Sequence, residues 1–311
     1  MKIVQIGTGG WGKNHCRVLS ELGVLSAVCD KDLHLAEEFG KKYSVNFYNS
    51  LETLLEKEEF DAAFICTPTI THADIATKLI ESKKHVFVEK PLTYLSDDGK
   101  KLVDMANKNN VVLTCGYIER FNPAVSTVKD FLTSKKYGDL IRLEFYREHR
   151  MPQHIKDVGI IYDTAVHDID TAMWLFGKTP EVVFAIAGKI NHEHEDFATI
   201  MLGFKDNKTA TISSNWITPT RVRNFNAVCT DGRIFSDFIT QEIRIETDHG
   251  TENPKNEKTE PLLLEIKNFL GAIETKNDIK VKAEQAVNVT KIAEAALLSS
   301  KKGIPIYLDI K

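Results

Sequence analysis

The hexapeptide Gly7-Thr8-Gly9-Gly10-Trp11-Gly12 restricts the fold more than any other stretch of this 311-residue chain. It directly follows the apolar run Lys2–Ile6 and opens a segment of helical spacing, Asn14–Leu22. In that strand-to-helix setting a G-x-G-x-x-G turn suits the pyrophosphate of a dinucleotide. The glycines permit a tight turn and close backbone approach, and the helix start offers unpaired N–H donors. Asp30 closes the next apolar run, Leu25–Cys29, at the distance where a carboxylate accepts hydrogen bonds from ribose hydroxyls. Its charge repels a 2′-phosphate, so NAD is expected over NADP, although Lys31 beside it could hold that phosphate. A glycine-rich turn that binds nothing is the plain alternative, and the conjunction of strand, helix and acid weighs against it.

The rest of the first 120 residues keeps the same rhythm. Strand-like runs Asn46–Tyr48, Ala62–Cys66, Val86–Val88 and Val111–Cys115 alternate with helical patterns at Leu33–Phe39, Leu51–Lys57, Ala73–Ser82 and Asp97–Lys108. Such alternation builds a doubly wound parallel sheet. After Phe121-Asn122-Pro123 the pattern changes to a helix, Ala124–Leu132. Long alternating strands follow at Ile141–Arg147, Val182–Lys189, Ala198–Phe204, Lys208–Asn215, Asn224–Cys229 and Gln241–Glu246. Thr247–Glu260 reads as a mobile loop, Leu262–Glu274 and Ala283–Ser300 as helices, and Ile304–Leu308 as a last strand. The expectation is an α/β Rossmann domain over 1–121 and an α+β domain with a largely antiparallel open sheet over 122–311, the C-terminal helix packing back on the first domain.

A formal charge of -4, from 40 basic and 44 acidic residues without a long single-sign block, argues against nucleic-acid or anionic-membrane partners and for a small molecule. Cys16, Cys29, Cys66, Cys115 and Cys229 are scattered and never form C-x-x-C, which disfavours a disulfide framework or zinc ribbon and fits a reducing cytoplasm. Neither a signal peptide nor a membrane-length apolar run is evident.

Further along stand Cys66-Thr67-Pro68 with His72, Glu89-Lys90-Pro91, Glu119-Arg120-Phe121-Asn122-Pro123, and Asp163-Thr164-Ala165-Val166-His167-Asp168. In this order they resemble the Gfo/Idh/MocA (glucose-fructose oxidoreductase/inositol dehydrogenase) family over nearly the whole chain. The resemblance implies the two-domain fold above, action on sugars or inositols, and oligomer contacts through the open sheet, here a homodimer or homotetramer. It assigns Lys90, Asp163 and His167 to the catalytic positions. It further implies that Thr67, Pro68, His72, Glu89 and Lys90 line the cofactor cleft, and that Arg120 and Asn122 approach substrate at the domain junction.

Oxidising a secondary alcohol needs a base for the hydroxyl proton and a cation near the oxygen as hydride leaves carbon. His167 and Lys90 suit those roles, and on a helix over Asp163–Phe176 the four-residue spacing puts Asp163 on the face of His167. Ile118–Pro123 and Asp157–Asp163 resemble family members that oxidise the 3-hydroxyl of a UDP-N-acetylhexosamine. Arg142, Arg147, Arg150 and Lys156 could meet its diphosphate, or could be ordinary solvated charges. An inositol or free-sugar dehydrogenase would use the same trio. A noncatalytic dinucleotide sensor or scaffold would not need it. The cluster Asn191-His192-Glu193-His194-Glu195-Asp196 is rich in metal-capable groups, but it reads as a polar loop, and no metal is expected.

Overall fold

The computed structural model describes residues 1–152, 155, 157–275 and 278–308. The chain forms two compact units, Met1–Gly116 with Leu262–Val287, and Tyr117–Pro261 with Asn288–Lys311. A single cut after Phe121 does not describe this division, because a later segment returns to the first unit.

In the first unit β1 (Ile3–Ile6), β2 (Leu25–Cys29), β3 (Asn46–Tyr48), β4 (Ala62–Ile65), β5 (His85–Glu89) and β6 (Leu113–Gly116) make one parallel sheet, ordered β3-β2-β1-β4-β5-β6. β1, β4 and β6 are buried at every residue, which is why they read as unbroken apolar runs rather than alternating ones. Five helices connect the strands: α1 (Gly12–Glu21), α2 (Leu33–Tyr43), α3 (Leu51–Lys57), α4 (His72–Glu81) and α5 (Ser96–Asn109). Asp32 and Ser50 cap α2 and α3 by accepting from the amides of His34 and Thr53. The helix Pro261–Thr275 completes this unit: its Phe269 ring sits edge-on to Phe64 and Phe87, 5.3 and 5.7 Å away, while those two stack at 4.6 Å. Strand order switches sides at β1, so the carboxyl ends of β1 and β4 flank the crevice where such sheets take ligands.

In the second unit α6 (Pro123–Thr133) leads into a nine-stranded sheet. Its strands are β7 (Leu140–Glu148), β8 (Val182–Gly188), β9 (Phe197–Phe204), β10 (Lys208–Asn215), β11 (Val222–Cys229), β12 (Gly232–Asp237), β13 (Ile243–Thr247), β14 (Gly250–Glu252) and β15 (Ile306–Tyr307). They lie in the order β14-β13-β12-β11-β7-β10-β9-β8-β15, and among the described pairings only β7 with β10 is parallel. α7 (Val166–Phe176), stopped by Gly177 at φ 65°, is tied to one face of the sheet through Arg147 and Asp168. The opposite face exposes Tyr146, Ile186 and Met201. Two elements depart from expectation. β12 was not legible as a strand, although Asp231-Gly232 at its start is a tight-hairpin dipeptide, and β14 lies inside the expected loop Thr247–Glu260. Among the described residues no helix is long and apolar enough to cross a membrane.

Candidate active site

The glycine turn joins the end of β1 to α1. Gly7 has φ 82°, and a Cβ there would drive into the Cys66 carbonyl; one on Gly12 would drive into the carbonyl of Gly7. Gly10 also has a positive φ, 44°. A Cβ on Gly9 would meet no protein atom nearer than 4.0 Å, so the protein's own packing does not require that glycine, whereas a ligand lying along the turn would. No side chain caps the start of α1, and its N-cap residue Trp11 is exposed, which leaves first-turn amides for an anion. The Asp30 carboxylate holds the turn by accepting from the Thr8 amide at 2.8 Å and the Thr8 hydroxyl at 3.1 Å. Its oxygens retain lone pairs for a ribose hydroxyl. Lys31 is exposed beside it. These features fit a dinucleotide.

The ends of β4 and β5 are cross-linked. The ring of the buried His72 reaches the Pro91 carbonyl through Nδ1 at 2.8 Å and the Thr67 carbonyl through Nε2 at 2.9 Å, bonds that coexist only in the doubly protonated ring. Pro68 is exposed, and its carbonyl receives the Thr71 hydroxyl. Glu89 accepts from the Lys90 amide at 3.1 Å through one oxygen and meets His15 Nε2 at 2.8 Å through the other. The His15 ring lies 5.4 and 5.5 Å from Phe64 and Phe87. Thus the peptide of Lys90 is anchored to the helix that starts at the glycine turn, a role for His15 that the motif reading missed. Its signal is position: His15 follows Gly12 by one helical turn on the buried face of α1.

In the second unit α7 is preceded by a wide i→i+5 turn, Ile161–Ala165, rather than by the expected uniform α-helix from Asp163. Every residue from Val158 to Met173 is buried except Asp163 and His167. Asp163 accepts from the Thr164 hydroxyl at 3.1 Å, and that hydroxyl receives the Trp216 indole N–H at 3.3 Å. The start of the segment is clamped by Glu195, whose carbonyl takes the Ile160 amide at 2.9 Å and whose carboxylate takes the Ile161 amide at 3.2 Å. Burial raises the Glu195 carboxyl above its usual range. Asp196 folds the same loop by accepting from the amides of Ile190 and Asn191, and the His194 amide donates to His192 Nδ1. The acidic cluster is therefore a cap on the Asp163–His167 segment.

Three expected substrate contacts turn inward. Arg147, 1% exposed, gives Nε and Nη2 to Asp168 and Nη1 to Glu119, at 2.8 to 3.1 Å. Burial works against the guanidinium's charge, but the two carboxylates outweigh it and raise its pKa. Arg120 is forked onto Asp170 at 2.6 and 2.8 Å. Asn122 caps α6 through the Ala124 amide and donates to the Phe238 carbonyl. Their charges and donors meet carboxylates and carbonyls supplied by the fold itself. Arg142 pairs with Glu144 at 2.6 Å, and Arg150 is exposed. Lys156 lies outside the described residues.

Among the described residues, His15, Cys66 and Glu89 form a group whose potential metal-ligand atoms lie within 4.8 Å of one another. Burial, with Glu89 adding to it, pushes the Cys66 thiol well above its usual range, and His15 is already bonded to Glu89. That donor set is suited to hydrogen bonding rather than to a thiolate ligand.

Residues 1–117 match the profile of an oxidoreductase family with an NAD-binding Rossmann fold, and residues 125–235 match the GFO/IDH/MocA C-terminal domain. UDP-N-acetylglucosamine 3-dehydrogenase of Acidithiobacillus ferrooxidans is 26% identical over 283 residues, 88% of each chain. Its solved structure superposes with a TM-score of 0.89 at 25% identity, covering 97% of this chain and 98% of that one. Myo-inositol 2-dehydrogenase of Thermotoga maritima is 27% identical over 265 residues, 80% of this chain and 78% of the relative.

Proposed function

Because the chain belongs to the Gfo/Idh/MocA family of NAD(P)-dependent sugar and polyol oxidoreductases, we propose that it oxidises or reduces a ring carbon of a sugar, the 3-hydroxyl of a UDP-N-acetylhexosamine by preference, with Lys90, Asp163 and His167 as its catalytic groups. One observation carries the reading. In an otherwise buried segment of the second unit, Val158 to Met173, an acid and an imidazole four residues apart are the two residues that stay partly accessible. Burying fourteen neighbours while keeping Asp and His partly accessible suits a proton-transfer pair, and packing alone does not require it.

A nicotinamide cofactor held at the glycine turn would supply the hydride acceptor or donor. His167 takes the hydroxyl proton as base, Asp163 orients the ring and favours its charged form, and the ammonium of Lys90 stabilises negative charge growing on oxygen. The Glu89–His15 link fixes the peptide from which Lys90 extends. Asp30 favours NAD by repelling a 2′-phosphate. The five cysteines, none in a disulfide, suit a reducing cytoplasm, and the exposed apolar face of the nine-stranded sheet suits a homodimer or homotetramer. An inositol is the second substrate class, favoured by the inositol dehydrogenase that is as similar in sequence as the nucleotide-sugar enzyme.

The test is reduction of NAD and NADP, followed by absorbance, against UDP-sugars, inositols and free aldoses. Lys90→Met and His167→Asn are each expected to lower turnover by at least about 100-fold while NAD affinity is kept. Near-normal turnover in either variant removes that residue from the chemistry, and silence of the native enzyme towards the whole panel rejects the dehydrogenase reading.

A further inference from the structure

We infer that Arg223, with Arg221 beside it, forms a subsite for an anionic oxygen group of the substrate, a diphosphate or a carboxylate, within the second unit. This rests on the dehydrogenase reading for its role in turnover, but not for its binding test.

Arg223 stands directly opposite Arg147 in the β11–β7 pairing, so the two side chains leave the sheet on the same face, the one that α7 occupies. Like charges in register repel unless something compensates them. Arg147 is compensated: it takes both Asp168 oxygens and Glu119 Oε1, and the second Glu119 oxygen accepts from Asn122. Those carboxylates therefore have little left for a second guanidinium. Arg223 Nε is sealed from solvent and has no hydrogen-bond acceptor among the described residues. Burial, with repulsion from Arg147 and Arg221 that Glu119 and Asp168 only partly offset, lowers the Arg223 guanidinium to about 10, still charged at neutral pH. Nε, with no accessible surface, is costly to keep and out of a ligand's reach; the Nη end of this partly exposed guanidinium is the donor pair that a carboxylate or phosphate would satisfy.

Its location fits a substrate contact. Arg147 pairs with Ser214 on β10, so Arg223 lies two strand spacings, roughly 10 Å, from β10. Just beyond the end of β10, Trp216 bonds Thr164, the neighbour of Asp163. His149, whose backbone is tied to Asn215, feels the charges of both Arg223 and Asp163. Arg223 is thus the cation expected of Arg147, placed one strand away, with its Nη end rather than its sealed Nε offered to a ligand. No sequence pattern marks it, since a strand arginine is ordinarily solvated.

The experiment compares the native protein with Arg223→Met and Arg223→Lys. Calorimetry reads binding of UDP and of glucuronate, kinetics compares a UDP-sugar with neutral myo-inositol, and thermal scans without ligand control for folding. Arg223→Met is expected to weaken UDP or glucuronate by about 10- to 100-fold, the range for a hydrogen bond to a charged group, leaving NAD binding and the KM for inositol unchanged. Arg223→Lys should restore part of the binding. The Tm of Arg223→Met without ligand should hold or rise, since a buried cation with no hydrogen-bonded partner and only partly offset repulsion is removed. Which anion responds distinguishes a diphosphate from a ring carboxylate. Unchanged binding of both anions, or a Tm that falls while anion binding persists, overturns the subsite and makes Arg223 a structural charge. If the native protein reduces no NAD with any sugar yet loses UDP affinity on Arg223→Met, the subsite stands and the catalytic reading falls.

Discussion

Replacing Arg147 by Met tests the energetics of the second unit most directly. The methionine keeps most of the aliphatic stem but removes every donor that Asp168 receives from Arg147 and one that Glu119 receives, leaving two buried carboxylates without their cation. Breaking a buried pair from one side costs about 3–5 kcal/mol. For a unit of this size that corresponds to a Tm lower by roughly 6–20 °C. The effect has a sign in pH. Burial holds the Asp168 carboxyl above its ordinary 3.8 even with Arg147 opposing it, so this group's contribution to stability is complete below that value and is lost as pH rises through the folded value. Without the opposing guanidinium the folded value climbs further, and the penalty grows from weakly acid to neutral pH. Calorimetric scans of native and Arg147→Met protein at a series of pH values should therefore show a Tm gap that is widest at neutral pH and closes on acidification. A gap of the same size at every pH, or none at neutral pH, would refute the claim that Arg147 compensates Asp168.

Gly159→Ala places a Cβ into the Glu195 carboxylate and dislodges the clamp on the Ile161 amide; turnover should fall at least about tenfold, ~1.4 kcal/mol of lost positioning, with NAD affinity unchanged in the same assay. Asp30→Ser removes the charge proposed to face the ribose, so the NADP-to-NAD ratio of kcat/KM should rise at least about tenfold; an unchanged ratio assigns cofactor choice elsewhere. His15→Ala leaves Glu89 buried with one partner fewer. Its denaturation midpoint should drop by the equivalent of roughly 1–3 kcal/mol, and an unmoved midpoint would show that the His15–Glu89 bond contributes nothing.

What the sequence made legible follows from what each signal reports. β2 and β10 are found where periodicity put them, because apolar runs and alternation report burial, and burial governs those strands; β3 and α3, with Leu54 their one buried residue, match their expected bounds without that cause. The glycine turn was legible because backbone geometry there admits little else. Charged residues were harder. Arg120 and Arg147 read as substrate cations because a sequence shows a charge but not its partner, and the partners, Asp170 and Asp168, lie 50 and 21 residues away. The hint was present in Asp168-Ile169-Asp170, two acids inside an otherwise apolar helix, a pattern that a solvated face does not explain. Lys90, Asp163 and His167 came from resemblance rather than from periodicity. The burial pattern gives Asp163 and His167 a physical distinction that no spacing rule could supply.

That distinction depends on how α7 is held. A helix buried on nearly every side gains almost the same apolar burial when turned slightly about its axis, so hydrophobic contact fixes its depth better than its rotation. Directional bonds fix rotation. Asp168 and Asp170 are two residues apart and so point about 200° apart around the axis. Each is gripped by its own arginine, Arg147 and Arg120, one rooted in the sheet and the other in the turn before α6. Clamps on opposite sides leave the helix no free rotation, and His167, adjacent to the first clamp, keeps its partly accessible setting at the cost of four buried charges that apolar side chains would replace without loss of stability. The expense is intelligible if the aim of His167 matters more than the strength of the fold, and on that argument the buried arginines serve the chemistry without touching substrate.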